Sequence, residues 1–115
     1  GGSEVVDALI DALVDDAVAY LDEGVAAGTI RPSEYPRERA AVLVLWSLGG
    51  LVLHEHMERL LGIDLTDTEA VASPAAAAYT RPAFEVMSRG LLTESFADRL
   101  DQAIEAAYHG AEIPS

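Results

Sequence analysis

The 115-residue sequence predicts an all-α protein, an antiparallel helical bundle of about four to five helices. Three observations carry that expectation. Apolar residues recur at i, i+3 and i+4 along most of the chain; no segment carries the alternation and tight-turn signals of a hairpin; and glycines, prolines and capping residues cut the chain into helix-sized pieces.

The first element follows from Ser3, a residue suited to an N-cap, ahead of Val6, Leu9, Leu13, Ala17, Tyr20 and Leu21 at helical spacing. Asp7, Asp11 and Asp15 form an i,i+4 row on another side. That row reads as a solvated face rather than a cation site, because oxygen-ligand loops for Ca²⁺ place acids closely around a Gly turn. Gly24, Gly28, Pro32 and Pro36 then end the helix and frame a loop, with Pro36 placed at the first position of the next helix.

The segment from Pro36 to Asp64 reads as one long central helix closed by Gly62. It has two apolar stripes. Val42, Trp46, Gly49, Gly50, Leu53, Met57 and Leu60 share one side, while Ala41, Val44, Leu48, Leu51 and Val52 share the other, which ends in Glu55 and Arg59 at i,i+4 spacing. The unbroken apolar run of about 14 residues is short of the about 20 needed to span a bilayer, so no membrane partner is expected. A helix apolar on two sides must be covered on two sides. One cover is the fold's own core; the other is a last helix or a second copy of the chain, and a second copy is preferred.

After this helix, Ser73 and Pro74 mark a new helix start, and Pro82 is expected to kink or restart that helix near Arg81. Ser95 and Asp98 resemble a capping box opening a last helix that ends at Gly110, followed by a short frayed tail. Gly1, Gly2 and Ser3 read as a tag or linker remnant, and residues 4–115 as a single domain.

Charge and composition limit function. Seven basic residues, all arginine, face 20 acidic ones, and a net charge of −13 opposes contact with a phosphate backbone, so this chain alone is not expected to bind nucleic acid. Cysteine is absent, which removes disulfides, thiol nucleophiles and thiolate metal sites and leans the localisation towards the cytoplasm. No nucleophile elbow or phosphate-cradling loop is present, and His109 lies near the chain end, so no catalytic residues are expected and the protein is not read as an enzyme.

The His54-Glu55-His56 sequence invites a metal reading. Residues two apart on a helix are separated by about 200°, so both imidazoles do not reach one ion. His54 and Glu58 share a face, but the zinc-protease pattern needs a second His at that position, and Glu-x-x-His does not occur. No metal and no cofactor are expected.

Three phrases, EGVAAGTIRPSEYPRERAA, LGGLVLHEHMERLLGID and PAFEVMSRGLLTES, resemble the C-terminal regulatory domain of TetR-family (tetracycline-repressor-like) bacterial transcription regulators. The resemblance covers nearly the whole chain and is carried most specifically by the LHEH helix and the GLLT ending. It implies an effector-sensing, homodimerising domain whose ligand releases operator DNA from a helix-turn-helix domain; that domain is not expected in this chain, where only a glycine-serine remnant precedes the first helix. By resemblance the dimer is a four-helix bundle of residues 35–61 and 82–92. Val44, Leu48, Leu51, Val52, Glu55 and Arg59 are the candidate interface.

The resemblance also implies that the Trp46 side looks inward to a pocket against the first helix. Tyr20, Trp46, Leu53, Met57, Tyr79, Phe84 and Met87 are the candidate lining for a small apolar or amphipathic effector, since aromatic and Met side chains offer large, adaptable surfaces. Gly49 and Gly50 either make room for that guest or let another helix approach; close packing is preferred. The acidity favours a cationic guest only if carboxylates reach the pocket, and most lie on solvent sides. The alternative is a ligand-free structural or engineered dimerisation module. An apolar cavity of several hundred Å³ near Trp46 favours the sensor; a filled interior favours the module.

Overall fold

The computed structural model describes residues 2–112, with side chains through 109. Among the described residues the regular structure is entirely helical. The elements are α1 (Gly2–Ala27), α2 (Pro36–Val52), α3 (His54–Leu61), α4 (Thr68–Ala72), a 3₁₀ turn (Pro74–Ala76), α5 (Ala77–Arg89) and α6 (Glu94–Glu112). The all-α class is as expected, with more pieces because the central helix is broken and α4 is a separate short turn.

α1 starts at Gly2, so Ser3 lies inside its first turn rather than capping it. It ends where Gly28 adopts φ +81°, a left-handed conformation that glycine takes without strain. The Thr29 and Ile30 amides both donate to the Gly24 carbonyl, at 2.9 and 3.1 Å. The Ile30 side chain packs so closely over Gly24 that any β-carbon there would collide with it. The chain thereby doubles back, and α2 starts beside the middle of α1, where Arg37 Nη1 donates to Asp15 Oδ1 at 2.7 Å. Asp15 holds the Arg37 guanidinium pKa above its ordinary value, but both side chains are well exposed and such a pair is screened by salt. Of the expected acidic row, Asp15 is thus a tether to α2.

The central segment is two helices, not one. Leu53 leaves helical geometry at φ −102°, ψ 29°, and α3 turns 80° away from α2. Hydrogen bonding runs through the turn: the Leu53 amide donates to Gly49 O, and the His56 and Met57 amides donate to Leu53 O, all at 3.0 Å. Two adjacent glycines one turn earlier weaken the helix and clear space on its surface. Met57 folds back into that space over Gly50. Gly62 closes α3 as expected, with φ +71° and its amide donating to Glu58 O at 2.8 Å.

Beyond it, Ile63 is almost fully buried. Asp64 accepts hydrogen bonds from the Thr66 amide at 2.9 Å and hydroxyl at 2.5 Å, which hold its carboxyl below the usual carboxylate range. Asp67 caps α4 by accepting from the Glu69 amide at 3.0 Å.

Ser73 stands just before Pro74 as expected, but its hydroxyl donates back to Ala70 O at 2.7 Å instead of capping the next turn. The expected restart near Arg81 is not observed. The change of helix type falls at Ala76–Ala77, and α5 continues through Pro82. Pro82 is only in the second turn, where its missing amide leaves the exposed Ala78 carbonyl without its helical donor. α6 begins at Glu94, so Ser95 and Asp98 lie within the helix rather than forming a box ahead of it. It continues past Gly110, and the expected terminal tail lies outside the described residues from 113 onwards.

The main helix packing is between α1 and α2, with α3 against α2 and the 3₁₀ turn between α4 and α5. The buried side chains among the described residues are Val14, Ala40, Ile63, Ala76 and Ala83, all apolar and mostly small. α6 has no substantial packing partner in the protomer. A radius of gyration of 17.9 Å contrasts with the about 13 Å of a compact domain of this length. The accessible surface of 9293 Å² likewise exceeds the about 6,100 Å² of a compact monomer of this mass. The protomer alone leaves unusually much of its apolar surface uncovered.

Candidate functional site

Helix α2 carries its largest side chain, Trp46, at the meeting point of three clefts. On one side α5 presents Tyr79, Thr80, Ala83, Phe84 and Met87, a single helix face by their three- and four-residue spacing. With Leu43, Trp46 and Ser47 these line an open cleft of about 270 Å³. The polar side chains in its lining are the hydroxyls of Ser47, Tyr79 and Thr80 and the Trp46 indole; the Ser47 hydroxyl already donates to Leu43 O at 3.0 Å and the Thr80 hydroxyl to Ala76 O at 3.2 Å.

The second cleft, about 540 Å³, lies where the α1–α2 loop meets α2 and the end of α5. Trp46, Leu43 and Met87 are common to both clefts, so the two form one continuous surface. Here Ile30, Val42 and Val86 supply apolar wall, and Arg31 and Arg39 supply charge. Arg39 Nη1 donates to the Arg31 carbonyl at 2.6 Å, whereas its Nε is buried with no acceptor. The third cleft, about 350 Å³, fills the α2–α3 elbow between Trp46, Gly49, Leu53, Met57 and Leu60.

The seven pocket candidates are therefore distributed rather than gathered. Trp46, Tyr79, Phe84 and Met87 meet in the α2–α5 cleft; Leu53 and Met57 are in the elbow, joined to them only through Trp46. Tyr20 is elsewhere, in a groove of about 390 Å³ between α1 and α2, with Leu13 and Ala17. The facing side of that groove is Val44, Leu48 and Leu51, three of the interface candidates. The expected orientation is corrected in part: the middle of α1 meets the Val44 side of α2, while the Trp46 side meets α5, the tip of the α1–α2 hairpin and, from α1, Leu21. The doubling back at Gly24 and the α2–α3 break set this geometry, and neither follows from helical periodicity. Val52, Glu55 and Arg59 are exposed in the protomer.

Sequence reasoning missed Arg39. Its signal was its place seven residues before Trp46, on the same side of α2, at the end of an apolar stripe. Among the described residues no group of three or more His, Asp or Glu side chains is placed to hold a metal ion, and His56 Nδ1 lies 3.3 Å from Arg59 Nη2.

Residues 1–93 match the family described as tetracyclin repressor-like, C-terminal domain, and the chain belongs to that family. It is similar to the HTH-type transcriptional regulatory protein RaaS of Mycobacterium tuberculosis (strain ATCC 25618 / H37Rv), with 38% identity over 93 residues, or 81% of this chain. The chain spans 42% of the length of that curated relative. No solved structure matches the chain significantly. α6 lies beyond the residues matched to the family.

Proposed function

We propose that this chain is the effector-sensing and homodimerising domain of a TetR-family transcriptional regulator, and that binding of a small apolar or amphipathic molecule here releases operator DNA from a DNA-binding domain carried elsewhere in the protein. The observation that carries the sensor reading is the pair of continuous clefts around Trp46, several hundred Å³ in extent, walled by aromatic, Met and aliphatic side chains with few polar groups. A pocket of that size and chemistry suits an effector.

Membership of a family of transcription regulators supports a non-enzymatic, cytoplasmic role. No single helix among the described residues is long and apolar enough to cross a membrane. At a net charge of −13 the chain has no electrostatic means of holding DNA, so its contribution to DNA binding is indirect. The uncovered apolar surface supports a homodimer, with Val52, Glu55 and Arg59 on the exposed side of the elbow as its nearest candidates.

The test uses the emission of Trp46, the chain's one tryptophan, during titration with 1-decanol below its solubility limit. The sensor reading expects a saturable spectral change and a rise in the unfolding temperature. No change in either property favours the structural module.

A further inference from the structure

We infer that the larger Trp46 cleft is specific for an apolar anion: a hydrophobic monocarboxylate whose charge is held by Arg39 and whose apolar body lies along Trp46 and Met87. This rests on the effector-sensing reading and adds the charge of the effector to it.

In a chain with 20 acidic and seven basic residues, the lining of this cleft has the opposite balance, with Arg31 and Arg39 and no carboxylate. The adjoining α2–α5 cleft also has no charged side chain in its lining. Neither arginine forms an ion pair among the described residues, whereas Arg37, two residues before Arg39, is paired with Asp15.

The guanidinium of Arg39 is fixed from one side only. Nη1 is engaged by the Arg31 carbonyl at 2.6 Å, and Nε is buried without an acceptor. The Nε–Nη2 edge is the one that receives a carboxylate side-on, through two parallel charge-assisted N–H···O bonds. A buried N–H left without an acceptor is costly, so an anion reached by a small rotation of the guanidinium relieves a penalty as well as adding a bond. Trp46 and Met87, shared with the α2–α5 cleft, then continue the apolar path away from the charge. One ligand with an anionic head and an apolar tail satisfies both halves.

The experiment is a Trp46-fluorescence and calorimetric titration of the chain with three probes of equal tail length: decanoate, 1-decanol and decylammonium, each below its aggregation threshold. The overall charge of −13 favours decylammonium. A preference for decanoate therefore reports the local arginines. Expected is decanoate binding at least about tenfold tighter than 1-decanol, the ratio produced by about 1.4 kcal/mol, and decylammonium weakest.

Arg39→Gln is expected to bring decanoate to within about threefold of 1-decanol measured on the same variant, and Arg39→Lys to retain part of the preference. If 1-decanol or decylammonium binds as tightly as decanoate, the anion assignment is overturned and the sensor reading survives. If no probe alters Trp46 emission or unfolding, both fall. The three-probe comparison on the unmodified chain decides the matter even if the Arg39 variants do not fold.

Discussion

A β-carbon built on Gly50 would lie 3.1 Å from the Met57 methyl, so the elbow between α2 and α3 closes over a residue that has no side chain. Gly49, its neighbour, faces open space. The two glycines thus have different roles in one turn of helix. Gly49→Ala should raise stability by about 0.5–1 kcal/mol, the usual gain on replacing a mid-helix glycine. Gly50→Ala should be close to neutral, because the helix gain is offset by displacing Met57. Denaturant titrations at one fixed protein concentration check the order, and a more stabilising Gly50→Ala would contradict this packing.

Val52 is 78% exposed in the protomer, at the end of α2. A glutamate there costs an isolated protomer little, but in a dimer interface it becomes a buried unpaired charge. Val52→Glu is expected to leave helical content unchanged and to raise the dimer dissociation constant at least tenfold, a weakening of about 1.4 kcal/mol or more. Sedimentation equilibrium measures the change. An unaltered constant would move the interface away from the elbow.

Trp46 is 37% exposed, lies on three clefts and is the largest side chain at their junction. Trp46→Ala should lower affinity for 1-decanol by about tenfold or more, consistent with loss of an aromatic anchor. The dimer should persist, since this side of α2 faces α5. Calorimetry replaces fluorescence as the readout in this variant, and unchanged affinity would count against the clefts as the binding site.

The turn after α3 gives a pH prediction. Both Thr66 hydrogen bonds favour the ionised Asp64, with a smaller contribution in the same direction from His54. The folded pKa is therefore below the unfolded one. The stabilisation is fully present above the unfolded value of about 3.9 and is lost as pH falls through the lower folded value. Asp64→Ala should lower the unfolding temperature by a constant amount between pH 7 and 5, and the difference from the parent should narrow below about pH 4. A difference that grows on acidification would contradict this reading.

Helix identity was legible because amphipathic spacing and terminators act locally. Gly28, Pro36 and Gly62 ended or opened helices where their backbone preferences required it. The break at Leu53 was not legible, since the residue is an ordinary helix former and the contact inside the bend, Met57 over Gly50, joins two helices. Pro82 does not restart the helix as one expected alternative had it: near the start of a helix a proline removes one hydrogen bond without ending the element. At the candidate site, Trp46, Tyr79, Phe84 and Met87, named from residue type and the family resemblance, lie together in one cleft. Tyr20 lies apart from that group, in the α1–α2 groove, because the turn at Gly24 brings α2 against the middle of α1, a tertiary fact absent from periodicity. Arg39 was hidden by its charge, which on a helix surface usually means solvent.

The most direct test is the solution mass of the chain by size exclusion with light scattering over a concentration series. The account predicts a dimer of twice 12.2 kDa, because a protomer exposing 9293 Å² needs a second copy to cover α6 and the outer side of α2. A monomer persisting at the highest concentration would contradict it.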